Sequence, residues 1–204
     1  MTPTFTLRAI RDVPGNSFQD SWKRLCKNIG TSDLSTVITL GDVAASNNAA
    51  DAWWCVHALD WSNIAIRRSI IGALIPSLQR AAALTANICI RDCLKALKQS
   101  CAGDDLVDLR SAEKKARRVA DAAMAPQTMW AARAVYAAIW AAAESAVERG
   151  VDGASCAGAY AAAAISSAEA TTWAAKAAEA KEFEAQRADL IAAFPPMVLK
   201  EAKP

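Results

Sequence analysis

Forty-nine of the 204 residues are alanine, and 33 of them fall within the 82 residues 112–193. Alanine is the strongest helix former, and its lone methyl leaves little to fill a gap between packed elements. Sheet folds draw on β-branched and aromatic runs, and the only candidates here are residues 36–39 and the first ten. The chain is therefore expected to be all-α: a layered antiparallel helical bundle or a solenoid-like helical stack, with a short N-terminal strand or strap. Small side chains let helix axes approach at the short end of the usual range of about 8–10 Å, so the alanine-rich helices should pack closely.

Near-alternation over residues 4–10 marks the strap. Asn16 is placed to cap a helix through Ile29 that Gly30 would end. A short helix covers 40–45, and Ser46 or Asn47 can cap the next, which carries Asp51 in its first turn and reaches about Leu59. From Ser62 a helix bearing Ile64, Ile66, Ile70, Ile71, Leu74 and Ile75 has an apolar surface too wide for a single stripe, so it should be central. Pro76 then kinks that helix or opens its successor. Another helix spans about 86–99, and Gly103 with Asp104 and Asp105 makes a loop. Three long helices follow, over 109–125, 126–149 and 153–194, the last with a break near Ser166–Ser167 or Thr171–Thr172. Their large residues, Met129, Trp130, Tyr136, Ile139, Trp140, Tyr160, Ile165 and Trp173, are expected to anchor the core. These aromatics also argue against disorder. Phe183, Leu190, Ile191 and Phe194 share a face that should dock the terminus.

The organisation expected is an N-terminal extension and first helix over 1–35, then a helical domain over 36–204. That domain divides into mixed apolar helices (36–103) and alanine-rich helices (104–204), forming one compact unit.

The formal net charge is +2 and the pI about 8.2. Nucleic-acid binders show a higher domain pI with clustered cations, so nucleic acid is not the expected partner. Residues 1–11 lack the charged start and apolar stretch of an export signal. The longest uncharged run, between Asp152 and Glu169, is too short and too weakly apolar to span a bilayer of about 30 Å. A cytoplasmic protein with no membrane partner is expected. Cys26, Cys55, Cys89, Cys93, Cys101 and Cys156 follow no disulfide pattern and are taken as reduced thiols.

Catalytic chemistry finds little support. His57 is the sole histidine, and on a helix it points about 200° from Cys55. Cys89 and Cys93 share a helical face, with Cys101 beyond, but no second ligand pair is near in sequence. No P-loop, nucleophile elbow or dinucleotide fingerprint is present. Glu144 and Glu148 read as a solvated pair. No catalytic residue, metal or cofactor is therefore expected.

Two basic clusters stand out. Arg110, Lys114, Lys115, Arg117 and Arg118 could meet phosphates or an acidic protein surface, or form a solvated face answered by Asp104, Asp105, Asp108 and Glu113. Arg67 and Arg68 form a smaller cluster near Trp53, Trp54 and Trp61. Adjacent Trp53 and Trp54 project about 100° apart, so one should be buried and the other free to cover a junction or meet a partner.

The stretch LGDVAASNNAADAWWCVHAL, residues 40–59, resembles the opening of an alanine-rich helical family of immunity proteins, immunity-five-like, common in bacterial and phage genomes. The resemblance rests on Ser46, Asn47, Asp51, Ala52, Trp54 and Leu59, then Arg67 or Arg68, then the alanine-rich tail, and covers about residues 39–190. Residues 1–35 and 110–118 depart from the family pattern. It implies a non-enzymatic protein that binds and neutralises another protein by steric occlusion, as a toxin immunity factor or a phage anti-defence inhibitor. The partner is then a toxin or a host-defence component, with a homodimer left open. The residues expected at the interface are Trp53, Trp61, Arg67, Arg68, Arg117 and Arg118. The alternative is a small-molecule or nucleotide-signal binding protein with a pocket lined by arginine and tryptophan. A third reading centres an enzyme on His57.

Overall fold

The computed structural model describes residues 2–13, 19–143, 147–169 and 172–198. Among the described residues ten α-helices pack on one another beside one two-stranded ribbon, so the all-α architecture holds. The ribbon pairs β1 (Thr4–Thr6) antiparallel with β2 (Val37–Thr39), placing Phe5 opposite Ile38. Both side chains are buried, which fastens the N-terminus to the helical body. Only the first half of the expected strap is extended. The Thr6 hydroxyl accepts the amide of Ala9 and starts a short helix, α1 (Leu7–Arg11). Helix α2 (Gln19–Ile29) ends at Gly30, whose φ of +74° favours glycine. Asn16 lies outside the described residues.

Thr39 and Asp42 form a reciprocal capping box at the start of α3 (Leu40–Ser46). Helix α4 (Ala49–Trp54) is capped by Asn48, whose side chain accepts the amide of Asp51 at 2.8 Å. Neither Ser46 nor Asn47 caps α4. The Asn47 backbone closes α3, and its amide side chain reaches back to the Ser21 carbonyl in α2. A 3-10 turn (Cys55–Ala58) leads to α5 (Ile64–Ala83), capped by Asn63. Pro76 sits inside α5, which runs on past it.

Helices α6 (Ile88–Cys101), α7 (Leu109–Ala122), α8 (Pro126–Ala143), α9 (Val147–Ser166) and α10 (Thr172–Ala193) complete the body. Helix α5 is central, touching α6, α8, α9 and α10, while α8 lies between α7 and α9. The chain breaks after Ser166, as anticipated, but Gly150 and Gly153 do not separate two helices. Both lie inside α9, because Gly153 makes room for a neighbour: a β-carbon there would stand 2.9 Å from the Trp140 ring and 3.0 Å from the Ala137 carbonyl.

Alanine, not the aromatics, fills the space between the long helices. Ala131, Ala134, Ala138 and Ala141 of α8 are buried, and Ala154, Ala157, Ala161 and Ala164 of α9 repeat the same 3-4-3 spacing. Of the large residues expected as anchors whose side chains are described, only Ile139 is fully buried. Met129, Trp130, Tyr136, Trp140, Tyr160 and Ile165 are partly exposed. Helices joined through methyl groups leave no width for an indole, so the large rings are pushed to the rim, where they lie over the seam. The Trp173 side chain lies outside the described residues.

Candidate functional site

The six residues expected at an interface do not form one patch. Trp53 and Trp61 are 3% and 0% exposed, so neither can meet a partner. Trp53 lies beside Gly158 of α9, where a β-carbon would be 3.1 Å from the indole, and its Nε1 donates to Gln186 Oε1 at 3.1 Å. Its neighbour Trp54 takes the more exposed position and tilts against His57 at 6.3 Å between ring centroids. Arg67 and Arg68 are half-buried on the first turns of α5, while Arg117 and Arg118 are exposed on α7.

Helix α7 is sharply two-faced. Ala112, Ala116 and Ala120 are buried, and Arg110, Lys114, Arg117 and Arg118 project from the opposite side. Arg110 pairs with Glu113 at 3.0 Å and Arg117 with Asp121 at 3.8 Å. Exposed pairs of this kind contribute about 0–1 kcal/mol and yield readily to a better counter-charge.

On neighbouring α8 the usual helical arrangement is inverted. Its buried face is mostly alanine, with Val135 and Ile139, and the half-buried Met129, Arg133, Tyr136 and Trp140 follow a 4-3-4 spacing along its edge, with Trp130 beside them. The Arg133 guanidinium stands 4.9 Å over the Trp130 ring, which in turn lies 5.6 Å from Tyr160 of α9. This ridge is visible in the sequence as a helical stripe. Its residue types pass for core anchors until the depth of the alanine seam is known.

A cleft of about 340 Å³ opens where the N-terminal end of α5 meets the α6–α7 loop and the end of α8. Arg67, Arg68 and Arg110 line it with Ile64, Ile71 and Leu109, and Arg68 pairs with Asp105. No tryptophan is among the described residues that line it, so it is not the arginine- and tryptophan-lined pocket anticipated.

A buried polar network holds α10 in place, and sequence inspection gave no hint of it. Glu182 accepts from Ser77 Oγ at 2.7 Å and from Arg80 at 2.7 and 2.9 Å. Arg80 also donates to Asp189, and these acids push its pKa above the ordinary arginine range. Gln186 donates to Ser77 Oγ and to the Gly158 carbonyl. Every polar group of this cluster faces another, which suits a locking role.

His57 Nε2 lies 3.8 Å from Asp152 Oδ1 of α9. Partial burial lowers its pKa, and Asp152 works against that shift. Cys55 is fully buried and its thiol is pushed well above its ordinary range, first by burial and then by Asp51. That is the opposite of an activated nucleophile. Cys89 and Cys93 sit on one helix, Cys93 buried with its thiol donating to the Ala112 carbonyl. Among the described residues no group of three or more His, Cys, Asp or Glu side chains could hold a metal ion, and no helix is long and apolar enough to cross a membrane.

Compared with protein-family models, with curated proteins and with solved structures, the chain matches none of them.

Proposed function

We propose that the chain is a non-enzymatic binding protein that neutralises another protein by covering its working surface, as a toxin immunity factor or a phage anti-defence inhibitor. The observation that carries this reading is the outward ridge of α8. A helix whose buried face is mostly alanine holds Trp130, Arg133, Tyr136 and Trp140 half-buried at its edge, where part of each large side chain remains accessible to a partner. Tryptophan, tyrosine and arginine are the residues that dominate binding energy at protein interfaces. The cationic face of α7, on the adjacent helix, adds attraction for an acidic partner and speeds encounter. The resemblance of residues 40–59 to immunity proteins points the same way.

A rigid helical stack also loses little conformational freedom on association. Of the interface residues anticipated from sequence, Arg117 and Arg118 remain in this reading, and Trp53 and Trp61 leave it because they are buried.

The test is co-expression in a bacterial host with the toxin or defence component encoded beside this chain. Protection of the host against the toxin, or silencing of the defence system, is expected for the natural sequence. It should be lost on Trp130→Ala with Tyr136→Ala while the helical circular dichroism is unchanged. Full protection by that variant would contradict the assignment of the surface, and no protection by the natural chain would contradict the function.

A further inference from the structure

A groove of about 450 Å³ runs between the last turns of α5 and the neighbouring side of α6. We propose that it holds an acidic amphipathic helix presented by a partner protein. Carboxylates of that helix meet Arg91, Lys95 and Lys98, and an apolar side chain between them rests on Ala82, Ala83 and Leu94. The proposal rests on the reading of this chain as a binder of proteins, but it uses no residue of the α8 ridge.

The groove exists because its walls differ in side-chain length. On the α5 side stand the methyl groups of Ala82 and Ala83, and on the α6 side three long cations rise beside Leu94. Ala82 and Leu94 belong to the buried core, which makes the floor apolar and fixed. Arg91 and Lys95 are exposed and Lys98 is half-buried at the groove's edge.

Charge decides what the groove takes. Among the described residues no carboxylate lines it, and none of the three cations forms an ion pair. Arg91 donates from one terminal nitrogen to the Ala86 carbonyl at 3.2 Å, which steadies the guanidinium without neutralising it. Asp92, the nearest carboxylate in sequence, lies outside the lining and does not pair with Lys95 three residues on. On α7, by contrast, Arg110 and Arg117 are each answered within their own helix. Like charges one turn apart repel, so an incoming counter-charge relieves that repulsion and displaces no resident acid.

Spacing then selects the shape of the partner. Positions 91, 95 and 98 are four and three apart, so they form one stripe of α6 about 10 Å long. A helix lying alongside with Asp or Glu at the same 4-3 spacing sets one carboxylate against each cation and turns the residue between them onto the floor. This is the helix-in-groove mode of recognition, with the apolar anchor supplying contact and the charges supplying register. A single small anion would reach only part of the stripe.

Fluorescence anisotropy tests this with the full chain and a labelled, capped, alanine-based peptide of about 18 residues, long enough to hold helix in water. The peptide carries three Glu at the 4-3 spacing and a leucine beside them, and its twin carries Gln in their place. The Glu peptide should bind at least roughly tenfold more tightly than the Gln twin, as three exposed ion pairs together would give, and the difference should shrink with added salt. Lys95→Ala with Lys98→Ala should weaken it several-fold or more. Ala83→Phe, on an exposed position, fills the groove with the charges left in place and should weaken it likewise. Arg117→Ala with Arg118→Ala should leave it unchanged. The proposal is overturned if the Glu peptide does not bind, if the twins bind equally, or if Ala83→Phe has no effect. It is also overturned if the α7 double variant loses as much as the α6 one, or if a single-stranded oligonucleotide binds as tightly as the Glu peptide, since either shows attraction to charge alone. None of these readings depends on the neutralised protein, so loss of protection in the host assay and failure here are told apart.

Discussion

The backbone carbonyl of Phe194 lies inside the volume that a side-chain carbon on Gly41 would occupy. That approach lets residues 195–198 fold over the start of α3. Buried Asp42 accepts the amides of Met197 and Val198, each at 3.1 Å, in addition to its role in the Thr39 capping box. At the other end of α3, Arg187 donates to the carbonyls of Ala44 and Ala45. Gly41→Ala should cost about 1–3 kcal/mol through overpacking and release the segment after Phe194. Denaturant titration reads the first effect and limited proteolysis the second. A variant as stable and as protease-resistant as the natural chain would show that the tail is not held this way.

The seam between α8 and α9 predicts an asymmetric response to enlarging alanines. Ala138 is fully buried, whereas Ala122 at the end of α7 is exposed. Ala138→Leu should destabilise by about 1–3 kcal/mol or more, because the helices must separate to admit three carbons. Ala122→Leu should stay within about 0.5 kcal/mol. Equal melting temperatures for the two variants would mean that the helices are not packed through methyl groups.

Arg80 is the network's link to solvent. Removing one partner of a buried pair costs about 3–5 kcal/mol, but Arg80 is 34% exposed and Asp189 is partly hydrated, so Arg80→Ala should cost less, about 2–3 kcal/mol. Glu182 would then stay buried at 3% exposure without its guanidinium. A chemical melt distinguishes this from an ordinary surface substitution, which would leave the midpoint nearly unmoved.

His57 ties folding to pH. Its folded pKa is lowered from 6.5 by burial, so the unfolded chain binds the proton more readily. Its contribution is therefore fully present above about pH 6.5 and declines as the pH falls through the window below that value. Between pH 7.5 and 5.5 the melting temperature of the natural chain should fall further than that of His57→Gln. Parallel falls would show that Asp152 offsets the burial completely.

The helical body was legible in the sequence because alanine density, helical apolar spacing and Gly30 are local signals. Pro126 at the start of α8 and the break after Ser166 are of the same kind. The N-cap of α4 is Asn48 because Asn47 is drawn to Ser21, a contact 26 residues away that no local pattern announces. Trp53 and Trp61, expected at an interface, are buried for a related reason. Trp53 and Trp130 look alike as residue types, yet Trp53 finds Gly158 to lie on and Gln186 to bond, while Trp130 sits at the rim of an alanine seam. Burial here is decided by the size of the residue across the helix pair. The Arg80, Glu182 and Gln186 network joins positions about a hundred residues apart, so its members read only as ordinary helix-surface residues.

The claim that the outer face of the α7–α8 pair is the binding surface is tested most directly by hydroxyl-radical footprinting of the chain, alone and in complex with the protein it neutralises. Trp130, Tyr136 and Trp140 should lose most of their oxidation in the complex, while Met197, half exposed on the segment that covers the start of α3, keeps its own. Unchanged oxidation of all three ridge aromatics in a complex that still forms would place the interface elsewhere and contradict the account.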